Sequence, residues 1–120
     1  PTFATITSTT INNSGTITAA AYNTSSDQSL KSKISDLVAD ESKLRSILFR
    51  TFVMNSDPER LRAGVIAQEL EPILPHLVIT GDDGIKSVDY VGLSIYFMKY
   101  VQDIDWRLTM LEDKIDRLTG

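Results

Sequence analysis

Near the end of the chain, Phe97, Val101, Ile104, Leu108, Leu111, Ile115 and Leu118 are spaced alternately four and three residues apart. From about Asp89 to Leu118 there is no proline and only one glycine, Gly92, near the start. The spacing predicts a long helix with an unbroken a/d seam over three heptads, narrower than the apolar stripe of an ordinary core helix. With Val101, Leu108 and Ile115 at a, the d positions fall to Phe97, Ile104, Leu111 and Leu118. Arg107 then takes a g position and Glu112 the following e position, a pair that parallel strands can form between chains. The seam mixes β-branched residues with leucine, so its packing allows a trimer and leaves a dimer open. Trp106 falls at f, outside the seam, facing a neighbouring element or solvent.

Upstream, the patterned stretches are shorter. Leu30, Ile34, Leu37, Val38 and Leu44 fall at helical spacings, with Ser25 or Ser26 as N-cap and Asp27 in the first turn. Ile47 to Met54 reads as a strand ending in the turn Asn55-Ser56-Asp57-Pro58. Leu61 to Ala67 leads into a short helix, Ala67 to Glu71, which Pro72 or Pro75 must end. Leu77 to Thr80 and Ile85 to Val88 form a hairpin about the turn Gly81-Asp82-Asp83-Gly84. Residues 3–11 and 15–22, separated by Asn12-Asn13-Ser14-Gly15, read as two strands rich in Thr, Ser, Ala and Ile. A two-stranded hairpin alone is marginal in water, so these strands need upstream chain or other subunits as partners. The competing reading of this stretch is a Ser/Thr-rich linker.

Charge divides the chain at the same place. Residues 1–26 carry no Lys, Arg, Asp or Glu, and every charge lies from Asp27 onward. The 120 residues amount to one domain with room for an appended segment, and 42% of them are apolar, an ordinary share. A net charge of −4 gives no electrostatic footprint for nucleic acid or an anionic membrane, and neither is expected as a partner. The chain has no cysteine, which removes disulfides, thiolate nucleophiles and Cys-based zinc sites and fits a cytoplasmic history. No apolar run approaches the roughly 20 residues of a membrane-spanning helix, and there is no signal-peptide pattern. The chain opens Pro1-Thr2-Phe3 without a start methionine, so we expect it to be cut from something longer.

Conventional catalytic sets are mostly missing. The single histidine, His76, supports no Ser-His-Asp set and reads as a loop or surface residue. Asp82 and Asp83 lack the ligand spacing of a calcium loop and read as a turn. There is no P-loop, no G-x-G-x-x-G and no Ser-x-x-Lys. Neither a metal nor a cofactor is expected. What remains is Ser26-Asp27-Gln28-Ser29-Leu30-Lys31 at the charge boundary. Within a regular helix, five residues rotate about 500°, which would put Ser26 and Lys31 on different faces. If Ser26 is extended and Lys31 lies beyond the first turn, the two can converge. A serine needs a base, and a lysine serves as one only when neutral, a form favoured by burial or by a nearby cation such as Lys33. On the residues alone, the segment reads as a capped helix start.

Three blocks stand out: Ser26-Asp27-x-x-Leu30-Lys31; Gly64-Val65-Ile66-Ala67-Gln68-Glu69-Leu70 with Ile73-Leu74-Pro75-x-Leu77-Val78; and Asp83-Gly84-Ile85-Lys86-Ser87-Val88-Asp89-Tyr90-x-x-Leu93. Together they resemble the peptidase S74 family, the intramolecular chaperone of phage endosialidase tailspikes, tail fibres and neck appendage proteins. The resemblance covers residues 26–120, and its second and third blocks, in this order and spacing, are highly specific. It implies an α+β fold: a small mixed domain with a β-hairpin and a long coiled-coil helix at about 94–118, forming an intertwined homotrimer, preceded by the β-stalk end of an upstream fibre in residues 1–25. It also implies an autoproteolytic serine endopeptidase that acts once on its own chain. Ser26 would be the nucleophile, Lys31 the general base and Ser25–Ser26 the scissile bond. The partners implied are two further copies of the chain and its own upstream fibre. The setting implied is the host cytoplasm during phage assembly, with the fibre kept in the virion and the chaperone released. The alternatives are an uncut trimerisation cap and a receptor-binding fibre tip.

Overall fold

A computed structural model describes residues 5–120 and divides them into two compact units, the first ending at Ile34 and the second running from Ser35 to Gly120. In the first unit, residues 5–27 are exposed and form neither helix nor strand. The two strands expected at 3–11 and 15–22 are thus not formed in the described part, and Phe3 and Ala4 lie outside it. A ladder requires a partner edge, and among the described residues no strand pairs with the uncharged segment. Local polar contacts take over: Asn13 Oδ1 accepts from Gly15 N at 3.0 Å, and Tyr22 Oη donates to Ile17 O at 2.8 Å.

The helix expected from Asp27 through Leu44 is also replaced. A single 3-10 turn spans Gln28–Leu30, the backbone runs without helix or strand from Lys31 to Ala39, and a short helix α1 follows at Glu41–Arg45. Two features account for the break. Lys33 adopts φ 55°, which a right-handed helix cannot contain. Asp40 then caps α1, its Oδ1 accepting from Ser42 N at 3.1 Å and Lys43 N at 3.2 Å. Leu30, Ile34 and Val38, which the helical reading placed on one face, are 66–77% exposed.

In the second unit, β1 (Arg50–Met54) and β2 (Asp57–Gly64) form an antiparallel hairpin, in register from Arg50 opposite Gly64 to Val53 opposite Leu61 and shifted at Met54. Three residues separate the observed start of β1 from the expected one, and Ile47 is buried in the core ahead of the strand. The segment read as leading into a helix, Leu61 onward, is β2 as far as Gly64. Only its Arg62 and Gly64 alternate inward near the end, so its polar composition hid the period of two. Then α2 (Ala67–Leu70) stops before Pro72, as expected. A 3-10 turn, Pro75–Leu77, delivers β3 (Val78–Thr80), which pairs antiparallel with β4 (Lys86–Val88). The intervening turn is closed by Gly84 N on Gly81 O at 2.9 Å, with Gly84 at φ 81°, a region open to glycine. Asp83 Oδ1 accepts from Ile85 N at 2.9 Å, so this aspartate serves the turn.

The long helix α3 (Tyr90–Thr119) begins on the Asp89 cap, whose side chain accepts from Gly92 N at 2.9 Å. Its first turns lie on a core of Leu44, Ile47, Val65, Leu70, Leu74, Leu77, Val78 and Leu93, flanked by Tyr96, Phe97 and Tyr100. Beyond Tyr100 the helix leaves the core. The unit is therefore a small mixed α+β fold of two hairpins and one long helix.

Candidate functional site

The 3-10 turn Gln28–Leu30 brings Ser26 and Lys31 together. Asp27, before the turn, is extended (φ −64°, ψ 139°), and Lys31, after it, is extended too (φ −120°, ψ 150°). One tight turn between two extended flanks sends both side chains to the same side, which a continued α-helix would not do. Lys31 Nζ donates to Ser26 Oγ at 2.6 Å, and both residues are exposed.

The turn is held from two directions. Leu30 N donates to Asp27 O, and Lys31 N to Gln28 O, each at 3.1 Å. Asp27 Oδ1 accepts from Ser29 N at 2.9 Å and from Ser29 Oγ at 2.6 Å. The Ser29 hydroxyl, then its backbone N–H, holds the Asp27 carboxyl below its ordinary value. The N-cap is thus Asp27, one or two residues later than the Ser25 or Ser26 read from sequence. The signal for it was present in the Asp-x-Ser spacing, which suits an Asx-type contact two residues on.

The pair has a definite chemical capacity. With Lys31 as ammonium, the bond runs from Nζ to Oγ. With Lys31 neutral, the same contact runs the other way, the hydroxyl donating to the amine lone pair, which is the starting geometry for a serine–lysine nucleophile. The bond Ser25–Ser26 adjoins the hydroxyl through the serine's own amide. Ser25 is exposed, and among the described residues its side chain makes no hydrogen bond comparable to that of Ser26.

The second and third blocks meet in the second unit. Tyr90 Oη accepts from Val65 N at 3.1 Å and donates to Val65 O at 3.3 Å, joining the end of β2 to the start of α3. A Cβ on Gly64 would overlap Tyr90 Oη, which explains a glycine at that place. Arg50 grips Glu69 at 2.8 Å and 3.1 Å, and Lys86 reaches Glu71 at 3.1 Å. His76 Nε2 lies 2.7 Å from Tyr96 Oη, a contact between the Pro75–Leu77 turn and α3.

The seam residues divide between two environments. Phe97 and Ile104 are half-buried, with Phe97 tilted against Phe49 at 5.6 Å between ring centres. Val101, Leu108, Leu111, Ile115 and Leu118 are 50–86% exposed on the single chain, as is Trp106 at 65%. Arg107, placed by the heptad opposite Glu112 of another chain, is engaged within its own: its two terminal nitrogens reach the two Glu41 oxygens, each at 2.9 Å. Arg45 at 2.7 Å and Tyr100 at 3.2 Å share the same carboxylate. Sequence reasoning missed this Glu41 centre, since nothing local links residues 66 positions apart.

Residues 26–79 match the peptidase S74 family, described as chaperone of endosialidase. The match opens on Ser26 and stops at Ile79, so the first two blocks lie inside it, and the third block and the seam follow it. A comparison with curated proteins found no match. From the serine–lysine turn to the second hairpin, residues 26–79 are thus similar to the peptidase S74 family, chaperone of endosialidase.

Proposed function

We propose that the chain is an intramolecular chaperone that trimerises, assists the folding of an upstream β-structured phage fibre or tailspike, and then releases itself by cutting Ser25–Ser26. The family match over residues 26–79 supports the chaperone role. The cut rests on one observation above all: Lys31 Nζ within 2.6 Å of Ser26 Oγ, at the first residue of the family match and at the edge of the uncharged segment.

The chemistry balances without a cofactor. Neutral Lys31 takes the proton from Ser26 Oγ, and the oxygen attacks the Ser25 carbonyl carbon. The Ser25–Ser26 C–N bond breaks as the amide nitrogen receives the proton back from the Lys31 ammonium. This leaves an ester from Ser25 to Ser26 Oγ and a free Ser26 amine. Water then opens the ester to give a Ser25 carboxylate and restores the hydroxyl. The lysine must be neutral at the first step, and loss of water around an ammonium favours that form. Assembly that covers the exposed turn supplies this condition, which ties cutting to a completed trimer.

The physical logic of the sequence of events follows from folding kinetics. Intertwining three β-strands is a slow, non-local process open to misassembly. A local trimeriser raises the effective concentration of the three chains, and its removal closes the reverse path. The host cytoplasm during virion assembly is the setting this reading requires. The test is the intact mass and N-terminal sequence of the expressed chain. A fragment beginning at Ser26, absent in Ser26→Ala, is the expected result. A trimer that remains whole points instead to a permanent trimerisation cap.

A further inference from the structure

We infer that Asp27 is a positioning residue for the Ser26–Lys31 pair, acting by its shape as a hydrogen-bond acceptor rather than by its charge, with Ser29 as its partner. The inference rests on the self-cleavage reading of the same turn. Ser26 and Lys31 are exposed, and no neighbouring side chain fixes the lysine in place among the described residues. Five residues of free chain would leave their side chains in many relative arrangements. What narrows them is the turn between, and that turn is a single 3-10 unit of three residues, too short to hold itself in water. Its own backbone contributes two hydrogen bonds at 3.1 Å. Asp27 adds two more through one oxygen, to Ser29 N and Ser29 Oγ, the latter at 2.6 Å. The carboxylate lies between the nucleophile and the base in sequence and touches neither by hydrogen bond.

The charge of Asp27 argues against an electrostatic role in the forward direction. A carboxylate near a lysine favours the ammonium, the form that cannot accept the serine proton. Its benefit must then come from geometry, and an uncharged acceptor of the same shape should supply it. Ser29 is accounted for in the same way. Its hydroxyl is engaged by Asp27, which leaves Ser26 as the hydroxyl that Lys31 reaches.

The test follows the first-order appearance of the fragment beginning at Ser26 in the full chain, with oligomeric state measured alongside. Asp27→Ala should slow it about ten-fold, the effect of losing a good N-cap. Asp27→Asn, which keeps an acceptor oxygen and drops the charge, should recover most of that rate. Ser29→Ala should fall between, and Ser29→Thr should follow the wild type more closely. If Asp27→Asn cuts as slowly as Asp27→Ala with the assembly intact, charge is what matters and the inference is overturned. If Asp27→Ala cuts like the wild type, it is overturned as well. A wild type that never cuts, or a Ser26→Ala that does, defeats the self-cleavage reading alone. Positioning is then read by the nuclear Overhauser contact between the Lys31 ε-methylene and the Ser26 β-methylene. Loss in Asp27→Ala with return in Asp27→Asn sustains the inference, and equal intensity in all three ends it.

Discussion

Ser25 and Ser26 are adjacent, equally polar and both exposed, yet only Ser26 lies against Lys31 Nζ. Under the proposed chemistry, the Ser25 side chain leaves with the acyl fragment and has no part in the reaction. Ser25→Ala should therefore still cut, and Ser26→Ala should not; N-terminal sequencing of the products separates the two. Lys31→Arg should also fail, because a guanidinium stays protonated at working pH and cannot take the serine proton. Two residues on, Lys33 sits at φ 55°. A left-handed backbone costs a non-glycine residue roughly 1–2 kcal/mol. Lys33→Gly should relieve that strain, and Lys33→Val should worsen it, since a β-branched side chain crowds this region most. The NOE between Lys31 and Ser26 is the measurement: retained in Lys33→Gly, weakened in Lys33→Val. If both variants behave alike, the turn at Lys33 does not govern how the chain leaves the pair.

At the scale of elements, two of the long-range ties between α3 and the rest of its unit can be tested directly: Tyr90 on Val65, and Arg107 with Tyr100 on Glu41. The first makes a sharp prediction. Gly64→Ala should cost about 1–3 kcal/mol, the usual result of overpacking, because its Cβ would overlap the Tyr90 hydroxyl. Tyr90→Phe removes the overlapping oxygen, so the double variant should lose less than the two single losses combined, as denaturant titration of all four chains would reveal. The second tie depends on pH. The Arg107 hydrogen bond, outweighing some desolvation, holds the Glu41 carboxyl below its ordinary value. A lowered carboxyl contributes stability that is present above the ordinary carboxylate range and is lost as pH falls through the lowered value. Glu41→Gln should therefore lower Tm at neutral pH and make less difference at an acid pH below the lowered value, where the wild-type carboxyl is protonated too. An equal drop at both pH values would show that Glu41 acts by packing alone.

These ties also explain which elements were legible in the sequence. The second hairpin and α3 carry their own local signals, Gly81-Asp82-Asp83-Gly84 for one and an uninterrupted apolar period for the other, and both formed where expected. Ser26 and Lys31 were singled out by the charge boundary and by the first block, though the turn joining them was read as a longer helix. Leu30, Ile34 and Val38 have the spacing of a buried helical face, yet all three are exposed, so the period misleads there. The strand β2 was missed because it is charged, exposed and begins Asp57-Pro58, so its partner β1 was read alone. The Glu41 centre was beyond reach, because its members are brought together only by the packing of α3 on the core.

The whole molecule poses the question of what covers the far half of α3. From Val101 onward, five seam residues stand 50–86% exposed, spaced for a coiled coil. A stripe this regular on a helix this long is more than an isolated apolar patch, and its period is the one that neighbouring helices match. Arg107 is held by Glu41 of its own chain, so charge pairing between g and e positions is weakened at that level and apolar packing must carry the association. We therefore expect a parallel trimer through residues 97–118, with sedimentation equilibrium at micromolar concentration giving three times the chain mass. Leu111→Asp should dissociate it, because each assembly would place three carboxylates around a buried axis, where unpaired charge is strongly unfavourable. The same substitution lies 80 positions from Lys31 in sequence and in the other unit, so it also tests the link between assembly and chemistry. If the exposed turn needs neighbouring chains to exclude water from Lys31, cutting at Ser25–Ser26 should collapse along with the trimer. A Leu111→Asp chain that is monomeric and still cuts at the wild-type rate would mean that the turn is complete within one chain, and the coupling of release to assembly would have to be abandoned.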